Sequence, residues 1–446
     1  MASRSTTAGT IGVPAATAIG VGGMMGAGLY TLLGFAAETA GVWLFGSFLV
    51  GGLVSVFSVY SYAKLGARYP SRGGAAEFLI RCFGDGVVSG GLNVFQFLGW
   101  IIAMALYAAG FAGYLMHLFG LHDERAGKAI GVGLVLALMA LNFIGSKVVG
   151  RSELFVVGIE LVIILVFVII AATKAEPSNF TDQAGGRGLL GVLIGAGVLY
   201  VTYEGFGVVT NSAGDMADPK RELPRAMYSA LAIVLVIHTT VSVMVVLVMK
   251  LKDIDANAGH VLAAAGQAVL GTVGLVAIST AALLATASAV NATLYGNANL
   301  AYTVAKSGEM PADFARGIWR SGTWGLVAAG GLTCLFVIFF PLAAVGQMAS
   351  LAFLIVYGSV SLGHLRVRRE TGANAWMLIT SVALNAGLFL VLLVHSIRSG
   401  SPSTWLTLLA VLAASFAFEY VYRRKTGRHL RISKASLDAE SRVHST

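Results

Sequence analysis

Charge is what this sequence has least of. Only 11% of its 446 residues are Asp, Glu, Lys or Arg, against roughly a quarter in soluble domains. So few charges cannot cover a water-facing surface, and with 57% hydrophobic residues the chain has lipid as its solvent. Its 8 prolines exclude a proline-rich linker protein. Its 2 cysteines, Cys82 in a basic stretch and Cys334 in an apolar run, exclude a disulfide framework. The HExxH zinc motif, the GxSxG nucleophile elbow, paired-cysteine metal sites and the P-loop are missing, which sets aside an enzyme, a metal centre and a pump driven by ATP within this chain. No cofactor is expected. The repeated filter or ring of like charge that a channel shows is missing as well. Before residue 10 the only charge is Arg4, a weak likeness to a signal peptide, so the first apolar segment reads as a retained membrane helix.

What is there is hydropathy in blocks. Twelve apolar segments stand out, at about 11–37, 42–67, 86–119, 129–146, 152–173, 188–212, 226–249, 266–303, 324–340, 343–363, 374–396 and 403–421. The loops are short, so residues 1–446 read as one transmembrane domain. With the N-terminus in the cytoplasm, 23 of the 30 Lys and Arg residues fall on the cytoplasmic side and 7 outside, the asymmetry that sets orientation. Both termini are then cytoplasmic, in a multi-pass protein of the plasma (inner) membrane. The net charge of +9 reflects that orientation. No array of base-stacking aromatics accompanies it, so no nucleic-acid partner is expected.

Two spans are rich in glycine. Span one contains "IGVGGMMGAGLY", with Gly20, Gly22, Gly23, Gly26 and Gly28; span six contains Gly195, Gly197, Gly205 and Gly207. Glycine lowers helix stability by about 1 kcal/mol relative to alanine. Bare backbone survives in a membrane only where protein or a water-filled cavity surrounds it. Interrupted helices in corresponding positions, here five spans apart, mark a transporter site at the bilayer midplane. Half-helix N-termini there suit a carboxylate. The expectation is that both spans unwind. The alternative for the span-one glycines is close helix packing.

An ionised side chain at the bilayer centre costs about 2.5–3.5 kcal/mol. Glu160 in span five and Glu204 in span six lie well inside apolar runs, as does His238 in span seven, whereas Glu38 and Glu153 lie near span ends. A carboxyl group taken out of water favours its neutral form, so a buried glutamate that alternates between compartments can carry a proton. Glu204 sits where glycines weaken the helix and is expected to line a polar cavity. There it can attract an ammonium or a proton, or bond to backbone N–H groups at the break. His238 reads as a buried histidine satisfied by its surroundings rather than as a relay. Asn291 and Asn299 in span eight read as packing contacts. In "DMADPKRELPRAM", Pro224 suits the first turn of a helix and the charges read as cytoplasmic and solvated.

Four stretches carry a resemblance. "GGMMGAGLY" resembles the first helix of the amino acid–polyamine–organocation transporters. "YSYAKLGARYPSRGGAAEF" (60–78) is similar to that family's signature after helix two, "YEGFGVVTNSAGDMADPKRELPRAM" (203–227) to its helix-six break and following loop, and "AKSGEMP" (305–311) to the segment after helix eight. The likeness spans about the first 320 residues in order, and the helix-six stretch looks most like prokaryotic broad-specificity permeases. It implies an all-α integral membrane protein of twelve transmembrane helices with the leucine-transporter-like fold. That fold is an inverted 5+5 helix repeat plus two C-terminal helices: about 11–173, about 188–363, about 374–421, and a cytoplasmic basic tail over 422–446.

The resemblance also implies a binding site. A substrate carboxylate would meet backbone N–H groups at Met25, Gly26, Ala27 and Gly28. Its amino group would meet carbonyls near Ala27, Tyr203 and Glu204 beside Gly205, with Phe206 as an aromatic lid; ordinary packing is the alternative for Tyr203 and Phe206. Where proton-coupled members usually carry lysine, this chain has Glu160, expected near carbonyls of Gly22 and Gly23 and the hydroxyl of Ser288. The family's frequent arginine is replaced by Asn299. Gly120 to Lys128 contains no cysteine, so no disulfide-linked heavy chain is expected.

The function so implied is secondary active transport of amino acids, proton-coupled, by alternating access. A polyamine or cationic amino acid carrier, an exchanger, and a sodium-coupled symporter stay open as alternatives. The expected partners are a small amino acid, a proton or sodium, and the bilayer.

Overall fold

The computed structural model describes residues 11–71, 74–144, 149–181, 188–306, 308, 310–319, 322–399 and 402–427. Arg4, Arg72, Lys147, Arg320 and the basic tail beyond residue 427, all used above to orient the chain, lie outside them, as does the side chain of Glu153. The described chain is almost wholly helical. Its first half holds α1 (Val13–Thr31), α2 (Leu33–Ala40), α3 (Leu44–Arg68), α4 (Ala75–Phe83), α5 (Val87–Phe119), α6 (Glu124–Ile144), α7 (Val149–Thr173) and α8 (Pro177–Thr181). Then follow α9 (Gly188–Leu199), α10 (Phe206–Val209), α11 (Pro219–Val248), α12 (Leu251–Ala256), α13 (Val261–Leu270) and α14 (Thr272–Lys306). The last are α15 (Trp324–Phe339), α16 (Leu342–Thr371), α17 (Ala375–Arg398) and α18 (Pro402–Thr426). A two-stranded antiparallel ribbon, Gly317–Trp319 with Gly322–Thr323, precedes α15.

A helix underlies each of the twelve apolar segments. Among the described residues, eleven helices are long and apolar enough to cross a membrane, and Trp324–Phe339 is a shorter apolar helix of 16 residues. The protein is an all-α membrane protein.

Hydropathy misplaces three boundaries. Segment eight is two helices, because Gly271 takes φ 62 and reverses the chain between α13 and α14. A positive φ costs glycine little, and nothing in the apolar pattern announces it. The reversal is tight: a Cβ on Gly274 would lie 2.0 Å from the carbonyl oxygen of Gly266. Span one ends with a kink at Leu32, and α2 continues to Gly41, where φ is 57. Span seven starts at Pro219 rather than near residue 226. Proline fits the first helical position, where its missing N–H costs nothing, and Pro224 lies within the helix.

Around α1 pack α5, α7, α10, α11, α14 and the 3₁₀ turn after α9. That arrangement brings both glycine-rich spans and Glu160 to the middle of the protein.

Candidate functional site

Span six is interrupted, though not by extended chain. After α9 the backbone tightens into a 3₁₀ turn over Tyr200–Tyr203, passes Glu204 and Gly205, resumes as α10, and ends in a second 3₁₀ turn over Thr210–Asp215. Glu204 (φ −61, ψ −27) and Gly205 (φ −58, ψ −20) stay in the right-handed region, so the change is one of hydrogen-bond spacing. Glu204 N–H donates to the Val201 carbonyl at 3.1 Å and Gly207 N–H to the Glu204 carbonyl at 2.9 Å, both three residues back.

Side chains of α16 supply what the helix loses. The Ser350 hydroxyl accepts from Val201 N–H at 3.0 Å and donates to the Val198 carbonyl at 2.7 Å. Two turns on, Tyr357 donates to the Glu204 carbonyl at 2.8 Å. Backbone groups buried in a membrane require such partners.

Span one does not unwind. It is helical from Val13 to Thr31, against the expectation above. The N–H groups of Met25, Gly26, Ala27 and Gly28 therefore lie within a helical ladder and do not project at a ligand. Its glycines serve close approach instead. A Cβ on Gly28 would overlap the Thr202 hydroxyl, at 1.3 Å; one on Gly26 would come within 2.7 Å of the Ala289 methyl; one on Gly23 would lie 3.2 Å from the Gly205 Cα. The fit is reciprocal, since a Cβ on Gly205 would lie 2.5 Å from both Gly23 C and Met24 N. Spans one and six thus meet backbone to backbone along a seam of small residues.

Beside that seam Glu204 is buried at 1% exposure. Its Oε1 accepts a hydrogen bond from the Tyr107 hydroxyl of α5, and its Oε2 has no partner. Phe206 is buried against Tyr357, with ring centroids at 4.7 Å, and meets Tyr62 edge-on at 5.5 Å. Tyr203 turns the other way. Its hydroxyl donates to the Phe48 carbonyl of α3 at 2.7 Å, and its ring edge fills the space over Gly51.

Glu160 lies on α7 at 2% exposure, where α7 packs on α1 and α14. The neighbour the structure gives it is Tyr30 of α1. The Tyr30 carbonyl accepts from Tyr114 at 2.8 Å. Gly22, Gly23 and Ser288 are half-buried on the helices flanking Glu160.

His238 differs from its reading as a satisfied core histidine. It is buried against Phe48 and Tyr203, and neither ring nitrogen has a partner. Asn291 does make a packing contact, accepting from Asn142 at 2.8 Å. In the loop after span six, Asp218 pairs with Arg221 at 3.7 Å on the exposed surface. The sequence reading missed Tyr30, Tyr107, Thr202, Ser350 and Tyr357. Each is a hydroxyl within an apolar span, a signal too common in membrane helices to single out alone.

A family model described as "Amino acid permease" matches residues 11–421. An uncharacterized protein of Methanocaldococcus jannaschii is 32% identical over 93% of this chain and 95% of its own length. The inner membrane transport protein YbaT of Escherichia coli is 30% identical over 91% of this chain and 94% of its own. A branched-chain amino acid permease of Lactococcus lactis is 25% identical over 80% of this chain and 81% of its own. A helical membrane fold whose sixth span tightens into 3₁₀ turns around a buried acid, matched along nearly its whole length, places the chain in the amino acid permease family, among transporters of the amino acid–polyamine–organocation superfamily rather than enzymes.

Proposed function

We propose that the protein takes up amino acids by alternating access, with a proton carried on Glu160, and that the structure is a closed state of that cycle. The carrying observation is Oε2 of Glu204, a buried carboxyl oxygen beside the 3₁₀ turns of span six to which no described side chain or backbone group donates. Leaving such a group unpaired costs about 1–3 kcal/mol, which a substrate ammonium would return.

In this reading the seam must part. Drawing α1 away from Gly205 opens the space between them. Unwinding around Gly22 to Gly28, where glycine makes the helix weakest, frees the N–H groups of Met25, Gly26, Ala27 and Gly28 for the substrate carboxylate. Tyr203 lines the site only if it leaves Phe48, and Phe206 closes it. The termini face the cytoplasm across the inner membrane. The halves 11–173 and 188–363 are the repeats that rock against each other, with 374–421 attached.

Glu160 sits where α1, α7 and α14 meet, so movement of α1 changes its surroundings. Protonated beside Tyr30 it is neutral in the closed protein. Exposure to water on the low-proton side releases the proton. Sodium held by the same carboxylate with Gly22, Gly23 and Ser288 is the second reading, since an acid binds either ion. A cationic substrate is a third, since Glu204 attracts any ammonium.

Uptake of labelled alanine, arginine and putrescine into proteoliposomes, under a pH gradient, a sodium gradient or neither, separates the three. The expected result is alanine uptake driven by the pH gradient, with that drive lost in Glu160→Gln. Uptake indifferent to the gradient in the wild type removes proton coupling, and preference for putrescine moves the substrate class.

A further inference from the structure

The chain between α12 and α13 covers the end of span one. A Cβ on Gly34 of α2 would lie 2.4 Å from the Ala258 Cα, so residues 257–260 rest directly on α2. That helix continues α1 across the kink at Leu32. On its other side the segment meets α5, where a Cβ on Gly113 would lie 3.8 Å from the Gly259 carbonyl oxygen. One helical turn further along the same face of α5, His117 stacks on His260, with ring centroids 3.9 Å apart and planes 28° apart. The stack pins the covering segment to α5.

The surroundings of both rings favour their neutral forms. Asn257 Nδ2 donates to the Asp253 carbonyl at 2.8 Å, which orients the amide with Oδ1 toward His260. His260 Nε2, 3.2 Å from that oxygen, is therefore the donor, and a second proton has to go on Nδ1. It would make a cation at the N-cap of α13, the positive end of a helix, and against the face of a second imidazole. His117 Nε2 is buried with no acceptor among the described residues.

No neighbouring element compensates such a cation. Neither α5 nor α13 carries Asp, Glu, Lys or Arg. The chain after α5 brings His122 and Asp123, both exposed, and α6 brings exposed Arg125 and a Glu124–Lys128 pair at 2.8 Å. Glu38 of α2 is exposed, as are Lys250, Lys252, Asp253 and Asp255 at α12. Lys174, after α7, is held on the Val269 carbonyl at the far end of α13.

We infer that His117 and His260 form an acid-released clasp: neutral and stacked, they hold residues 257–260 over the end of span one, and protonation parts them and frees the segment to move with α2. The inference rests on the proposed cycle for its orientation, which puts the clasp on the outer face, and for the movement of α1 that a freed segment permits. In a carrier driven by protons from that face, acid eases the outward opening that admits substrate. Burial and then the His117 ring push the pKa of stacked His260 down to about 4, against an ordinary 6.5. Going from pH 7.5 to pH 5 therefore raises the released population about thirtyfold.

Hydrogen–deuterium exchange of the full-length protein in detergent at those two pH values, corrected for the intrinsic rate at each, reads the release. The reporters are the amides of His260, Ala263 and Ala264, which donate to the Asn257 and His260 carbonyls at 2.9, 3.0 and 3.3 Å. Amides within α17 are the reference. The expected result is a fall in reporter protection of about ten- to thirtyfold at pH 5 with the reference unchanged. His117→Phe keeps a ring in the stack that takes no proton, and His260→Gln removes the other titrating group. Each should reduce the fall, and the double variant should show none. No fall in the wild type, or an equal fall in the double variant, overturns the clasp. A fall shared by α17 marks general loosening by acid and overturns it as well. None of these readouts involves transport, so loss of proton-driven uptake as a reading leaves them standing, and failure of the clasp leaves the uptake assay untouched.

Discussion

Adding one methyl group at Gly205 separates a seam that closes from one that cannot. The glycine has φ −58 and ψ −20, dihedrals that alanine adopts freely, so Gly205→Ala introduces no backbone strain. Its whole effect falls on the contact with span one. The new Cβ would sit 2.5 Å from Gly23 C and Met24 N. Both are backbone atoms and cannot rotate aside. Reaching the 3.4 Å of ordinary contact requires about 0.9 Å of retreat by one helix. Overpacking of this kind costs about 1–3 kcal/mol, or roughly 5–150-fold in the population of the closed state. A transporter that must pass through that state on every cycle loses turnover by the same factor. The assay is initial-rate uptake in proteoliposomes, normalised to folded protein. Gly158→Ala is the matched control, since nothing lies within 4 Å of its added Cβ and α7 exposes it. It should transport like the wild type, with helix stability changed only by the alanine preference of roughly 0.5–1 kcal/mol. Wild-type uptake by Gly205→Ala would refute the claim that spans one and six close on each other during transport.

Tyr107→Phe removes a hydroxyl that bonds the Glu204 carboxyl; a buried group left so costs about 1–3 kcal/mol, and uptake should fall several-fold to a hundredfold at unchanged expression. Tyr200, Ser58 and Asn385 close a buried ring of hydrogen bonds at 2.7, 3.0 and 3.2 Å across α3, span six and α17. Tyr200→Phe and Asn385→Ala should each lower the unfolding temperature in detergent, with the double variant falling short of their sum; additivity would dissolve the ring. Outside the membrane, burial and then the His117 ring, stacked on it at 3.9 Å, push the pKa of His260 down to about 4. The unfolded chain binds a proton there below the ordinary value of 6.5, so stability is complete above that pH and falls between about 6.5 and 4. The loss in unfolding temperature between pH 7.5 and pH 5 should shrink in His260→Gln, and an unchanged loss would place the acid sensitivity elsewhere.

Composition, hydropathy blocks and the basic-residue asymmetry of a single chain were enough to name a helical membrane protein, because lipid leaves a chain few structures that satisfy its backbone. Two buried glutamates and the break in span six were legible for the same reason: an acid or a run of glycines inside an apolar span is costly and stands out. Span one shows the limit. The glycines of span one read first as a place to unwind, with packing as the alternative, and only the position of Gly205, Thr202 and Ala289 against Gly23, Gly28 and Gly26 decided for packing in this state. Tertiary structure alone also brought Tyr107 and Tyr357 to Glu204, Tyr30 to Glu160 and Ser350 into the span-six ladder. A hydroxyl in a membrane helix has no periodicity of its own, and its role is set by which helix lies across from it. The chain determines which groups must find partners away from water; the crossing of distant helices determines which partners they find.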